Sequence, residues 1–196
     1  MFATKDQLAT FVDFFRRGTK LTYKKGEYII RPGETPNGVF YIVKGQVKAF
    51  KITKYGEENL LLIRKEHEIF PLIWSITHQD REVIYQTLVP TTVLRASQTD
   101  YLAFLEDHPD ALPPFIDIVL EQYRIHSERI INLEYRTVRE RLISFLIIMA
   151  DRFGQKSPEG LLINVPLRHQ DIASSINTSR ETASRELSSL EQKGFI

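Results

Sequence analysis

The side chains with the most specific recognition chemistry lie near the C-terminus, in the run Asn177-Thr178-Ser179-Arg180-Glu181-Thr182-Ala183-Ser184-Arg185. An arginine fork bonds guanine O6 and N7 together, and a glutamate accepts from cytosine N4. Arg180, Glu181 and Arg185 therefore carry the donors and acceptors that read base edges. Ser179 falls where the amides of a helix N-terminus attract a phosphate. On residue type alone the same charges also suit the solvated face of an ordinary helical hairpin, and both readings stand at this point.

Two short helices must hold these residues. Ile172, Ala173 and Ile176 form one apolar edge, and Ala183, Leu187 and Leu190 form another, each at helical spacing. Small Ala173 allows close helix approach. Asn177 tolerates the left-handed conformation such a corner needs. Thr178 with Glu181 three residues on reads as a capping box opening the second helix.

Bulk properties narrow the function classes. The 196 residues are 42% hydrophobic and 26% charged, values of a folded globular chain. No run of apolar residues is long enough to cross a membrane and no signal peptide stands at Met1, so a cytoplasmic protein without a membrane partner is expected. The sequence holds no cysteine, which excludes disulfides, thiolate catalysis and cysteine-ligated iron–sulfur or zinc sites. His67, His78, His108, His126 and His169 lack metal-ligand spacing, and no metal site is expected. No phosphate-binding glycine loop, HExxH or nucleophile motif appears, so the chain does not read as an enzyme. Net charge is +1, and from Thr137 onward eight basic residues face seven acidic ones, which gives no bulk field for nucleic acid.

Residues Leu21 to Arg95 show short β-rich runs broken by turns: Tyr28–Ile30, Val39–Val43, Val47–Ile52 and Leu60–Ile63, then a strand over Ile84–Arg95. This spacing predicts an antiparallel sandwich or barrel. A long helix over 113–136 opens at Pro113-Pro114. Along it Ile116, Val119, Tyr123, His126, Ile130 and Leu133 repeat at heptad spacing, as a dimer seam or a core contact would. Arg139–Phe153 is a further amphipathic helix, Gly154–Gly160 a loop, and Leu161–Val165 a short strand.

The Ser179-Arg180-Glu181-Thr182…Arg185 run closely resembles the recognition helix of the CRP/FNR family of bacterial transcription regulators. The series Gly26-Glu27…Ile29…Gly33-Glu34…Tyr41-Ile42…Gly45…Val47 is similar to the signature of the cyclic-nucleotide-binding β-roll in the same family. The resemblance implies an α+β protein with an N-terminal antiparallel β-roll for effector sensing (1–112), a dimerisation helix (113–136) and a winged-helix-type helix-turn-helix domain (137–196). It implies a homodimer on a palindromic DNA operator, with Ser179, Arg180, Glu181, Thr182, Arg185 and His169 at the DNA, and RNA polymerase as a further partner. Asn177 replaces the usual turn glycine, and Leu167 stands where a capping Thr or Ser is common. The sequence stops at Gly194-Phe195-Ile196, where relatives continue into the wing, so the wing is expected to be missing, by nature or by truncation. The missing wing and the neutral charge favour an alternative, a sensory or interaction module with weak DNA binding.

In cyclic-AMP-binding relatives a Gly-Glu-Leu turn holds the ribose and an Arg-Ser-Ala turn the phosphate. The matching stretches here are Phe70-Pro71-Leu72 and Arg81-Glu82-Val83. Pro71 removes a backbone donor and Glu82 sets a carboxylate against the phosphate, which argues against cyclic AMP. Candidates to surround a different small effector are Trp74, Arg81, Glu82, Tyr85, Tyr123, His126 and Ser127, although Trp74 and Tyr85 read as core residues, and His126 as a packed seam residue, before they read as ligand contacts. No cofactor is assigned, and without cysteine the iron–sulfur sensing of some members is excluded.

Overall fold

The computed structural model describes residues 2–158 and 160–196. Its contacts divide into two compact units, one running to Lys51 and resuming over Leu62–Tyr123, the other comprising Ile52–Leu61 and Arg124–Ile196. The division falls inside the long helix rather than at its ends.

The chain opens with α1 (Lys5–Arg16), where Thr4 and Gln7 exchange hydrogen bonds as a capping box. Strands β1 (Thr19–Tyr23), β2 (Tyr28–Ile30), β3 (Val39–Lys44), β4 (Val47–Ile52), β5 (Glu58–Arg64) and β6 (Ile69–Phe70) follow. Then come α2 (Leu72–Thr77), β7 (Ile84–Thr87), β8 (Thr91–Ala96), α3 (Gln98–Asp107), a 3-10 turn and α4 (Leu112–Tyr135). Two antiparallel sheets result, ordered β1-β8-β3-β6 and β2-β7-β4-β5.

The strand expected over Ile84–Arg95 is two strands, one in each sheet. Pro90 donates no amide and restricts the residue before it, so the chain turns there and changes sheet. Gly45, at φ +112°, closes the β3–β4 turn against Thr91, whose Cα would lie 2.8 Å from any added Cβ.

Alternation along β3 and β8 creates two cores. Val39, Tyr41, Leu94 and Ala96 pack against Phe11, Phe15 and Tyr101 of α1 and α3. Phe40, Ile42 and Val93 face the other way, meeting Val47, Ala49 and Tyr85 of the second sheet. Helices α1 and α3, which sequence patterning left unread, cover the first core through stacked Phe14–Phe104 rings 4.3 Å apart.

In the second unit α5 (Val138–Phe153) starts at Thr137, whose side chain caps Glu140 in a reciprocal box. The expected Gly154–Gly160 loop is instead a hairpin of β9 (Gly154–Ser157) and β10 (Gly160–Ile163), pairing Gly154 with Ile163 and Ser157 with Gly160. Its first strand is the polar Gly154-Gln155-Lys156-Ser157, so no apolar alternation betrays it. Glu159, within that loop, lies outside the described residues. Helices α6 (His169–Ser175) and α7 (Arg180–Gln192) complete the unit.

Candidate nucleic-acid interface

Buried Leu142, Ile172, Ile176 and Leu190 form the core beneath α6 and α7, with Leu187 packed against it. Ala173 and Ala183 are fully buried, so the two helices approach closely as their small residues suggest. Asn177 takes φ +51° at the corner. The cap differs from expectation. Ser179, not Thr178, is the N-cap of α7, its Oγ accepting from Thr182 N at 3.1 Å. Thr178 closes the turn instead, donating its backbone N–H to Ala173 O at 3.0 Å. With a left-handed residue at 177, the chain needs one more extended residue before its amides line up as a helix.

Ser179, Arg180, Glu181, Arg185 and His169 are exposed, and Thr182 is half-buried against Ser179. Glu181 and Arg185 are four apart and share a helix face. Among the described residues neither Arg180 nor Arg185 is ion-paired. The Glu181 carboxyl is held below its ordinary range by its own backbone amide and by the Ser179 side chain. His169 Nδ1 lies 2.7 Å from Ser184 Oγ, next to Arg185, so α6 contributes to the same surface.

Three other arginines of the unit brace it from within. Arg139 of α5 holds Glu186 at 2.9 Å and Ser189 at 2.7 Å. Arg168, the residue capping α6 in place of the expected Leu167 position, bonds Asp171 at 2.9 Å and Glu58 at 2.6 Å. Arg129 of α4 donates to Leu60 O at 2.9 Å, Asn59 Oδ1 at 3.2 Å and Ser174 O at 3.3 Å. Sequence reading missed Arg129 because its partners lie far along the chain; for Arg168 and Asp171 the i,i+3 spacing was the available signal.

The effector candidates are less coherent. Trp74 packs with the α1/α3 core and Tyr85 with the core between the sheets, so strand alternation puts them on opposite faces of the β3/β8 sheet. Tyr85 is buried, its ring 4.6 Å from Phe70, which stacks in turn on Phe40 at 5.2 Å. Burial raises the Tyr85 hydroxyl, and Arg64 opposes that shift. Arg64, buried 3.7 Å from Glu68, is a charged group of the roll that sequence reading passed over at the end of an apolar run. Arg81 and Glu82 sit on an exposed turn, Glu82 at φ +52° with its carboxylate 3.6 Å from Lys51. Tyr123 and His126 are exposed on α4 and Ser127 half-buried. The seam residues Ile116, Val119, Ile130 and Leu133 are likewise exposed, Ile130 by 57%. Among the described residues no cluster of three or more His, Asp or Glu could hold a metal ion, and no helix is long and apolar enough to cross a membrane.

Residues 20–108 match the cyclic nucleotide-binding domain, and residues 140–196 match the Crp-like helix-turn-helix domain. The chain belongs to the CRP/FNR family of transcription regulators. It is a DNA-binding regulator and not an enzyme. Among CRP/FNR relatives it is 28% identical over 191 residues to the global nitrogen regulator of Synechocystis sp., covering 93% of this chain and 85% of that protein. It is 27% identical over 186 residues to the transcriptional activator FnrA of Stutzerimonas stutzeri, covering 94% and 74%. The c-di-GMP-responsive regulator CLP of Xanthomonas campestris shares the CRP/FNR fold at TM-score 0.77 and 20% identity, covering 95% of this chain and 92% of that one.

Proposed function

We propose that this CRP/FNR regulator acts as a homodimer on a palindromic operator. Arg180, Glu181 and Arg185 read base edges, Ser179 and the α7 amides receive a phosphate, and Thr182 and His169 flank them. The observation that carries this reading is the contrast within the second unit: Arg129, Arg139 and Arg168 are tied to protein partners, while Arg180 and Arg185 stand exposed without ion pairs on the first two turns of α7. Half-sites about 34 Å apart would match two such helices in one dimer. RNA polymerase is the partner through which bound regulator changes transcription, and the bacterial cytoplasm is where it meets its operator.

The sensor responds to a small effector other than a cyclic nucleotide. One relative, from Mycobacterium tuberculosis, carries the name cAMP-activated global regulator at 22% identity. Here buried Pro71 offers no amide and Glu82 faces Lys51, while the Phe40–Phe70–Tyr85 rings fill space between the sheets. Selected-site binding by the purified chain tests the DNA reading. Arg180→Ala and Arg185→Ala are each expected to weaken the selected site by about tenfold or more, one bidentate pair being worth roughly 1–3 kcal/mol. Equal affinity of wild type and both variants would favour the alternative, an interaction module with weak DNA binding, which the neutral charge of residues 137–196 supports.

A further inference from the structure

A cavity of about 570 Å³ opens at one end of the β1-β8-β3-β6 sheet, where α1 runs into β1 and β8 runs into α3. Phe14, Arg17, Asn37, Arg95, Ser97 and Asp100 line it. This volume falls in the range of small-molecule sites, roughly 300–1,000 Å³.

Arg95 is the unusual member. It stands on β8, an interior strand, opposite Thr19 on one side and Phe40 on the other, and is half-buried. Among the described residues no carboxylate pairs with Arg95 or with Arg17. Asp100, the acid at the cavity, is turned into its own helix start, taking a 2.6 Å hydrogen bond from the Ser97 hydroxyl. Burial raises the Tyr23 hydroxyl above its ordinary range, and the Arg95 charge opposes that shift.

The backbone is shaped around this arginine. A Cβ on Gly38 would lie 2.7 Å from Arg95 Cγ and 3.0 Å from its Cδ, so the bare glycine lets the stem lie against the backbone just before β3. A Cβ on Gly18 would run into the Arg95 carbonyl oxygen. The guanidinium is thereby aimed in a limited set of directions, with a second guanidinium and the Asn37 amide at the same cavity and the Phe14 ring as an apolar wall.

We propose that this cavity is a binding site for a small organic anion carrying two negative charges, a phosphate monoester or a dicarboxylate. Guanidinium forks match both oxyanions bidentately. Arg95 is the half-buried anchor and Arg17 the outer clamp. The site stands independently of the effector reading, since none of its residues lies on the turns that resemble the nucleotide-holding ones.

Calorimetric titration of the full chain with glycerol phosphate and, separately, with succinate, at constant ionic strength, tests this and tells the two anion classes apart. One of them is expected to bind saturably, at least tenfold more weakly to Arg95→Gln and measurably more weakly to Arg17→Gln. Arg17 is exposed, so its variant keeps the fold and reports on the site even if Arg95→Gln destabilises the sheet. Arg81→Gln, on the turn expected to serve the roll effector, should leave this binding unchanged. Saturable binding by neither probe, or binding that survives both Arg17→Gln and Arg95→Gln, would overturn the proposal.

Discussion

Ser179 serves two purposes at one atom: its Oγ caps α7, and the same helix start faces outward where a phosphate would dock. Removing an N-cap hydroxyl costs about 1 kcal/mol. Ser179→Ala is therefore expected to lower thermal stability by a few degrees and to weaken DNA binding further, whereas Thr178→Ala, whose contribution is its backbone N–H, should leave both nearly unchanged. Paired melting curves and gel shifts decide it, and equal losses for the two would restore Thr178 as the cap. Tyr41 offers a pH-dependent counterpart. Its hydroxyl lies 2.7 Å from His67 Nδ1, and burial pushes its pKa up to about 12, with Arg16 and Glu66 acting in opposite senses. The folded state thus holds this proton more tightly than the unfolded chain, which releases it near 10. The resulting stability is complete below pH 10 and is lost as pH rises towards 12. Tyr23, Tyr85 and Tyr101 are shifted in the same direction by burial, so Tyr41→Phe should remove only part of the alkaline loss seen in pH-dependent denaturation.

At the scale of elements, Arg129 links three chain segments: α4, the β5 residues Asn59 and Leu60, and the last turn of α6 at Ser174. Leu60 N also donates to Ser174 Oγ at 3.2 Å. Burial lowers the Arg129 pKa from its usual value, yet three of its five N–H donors are taken up by protein acceptors. Hydrogen bonds to a charged group contribute about 1.5–3 kcal/mol, and orphaning buried carbonyls adds a penalty. Arg129→Met is expected to cost about 2 kcal/mol, with hydrogen exchange accelerated first at Leu60 and along α6. Uniform acceleration across the chain would mean that the link is not local.

At the scale of the whole molecule, α4 presents an exposed apolar stripe whose residues recur at heptad spacing. Tyr123 is 71% exposed, and Ile116, Val119, Ile130 and Leu133 continue the heptad along the helix. A stripe of this kind is the self-complementary surface of a two-fold dimer. Val119→Glu combined with Ile130→Glu is expected to give monomers in sedimentation analysis and to abolish operator binding, while the secondary structure stays intact. A double variant that still sediments as a dimer would place the interface elsewhere. The near-neutral charge gives the proposed dimer a larger share in binding, because two α7 helices on one operator would supply by avidity what a bulk basic field does not.

Local patterns determined much of this protein from sequence alone. The apolar edges of α6 and α7, the left-handed Asn177 and strands β2 to β5 were legible because each depends on side-chain periodicity or on turn chemistry within a few residues. The cap at Ser179 was misplaced by one residue, since the exact start of a helix depends on how the preceding turn closes through Ala173. The hairpin after α5 and helices α1 and α3 escaped because polar strands and covering helices are stabilised by distant partners. Tertiary structure alone decided that Trp74 and Tyr85 face opposite cores, and that Arg129 meets Leu60 and Ser174. It alone set Arg95 over Gly38 at a cavity whose one lining acid, Asp100, bonds Ser97 instead. Each of these follows from strand register and long-range packing, which bring together residues whose spacing along the chain carries no period.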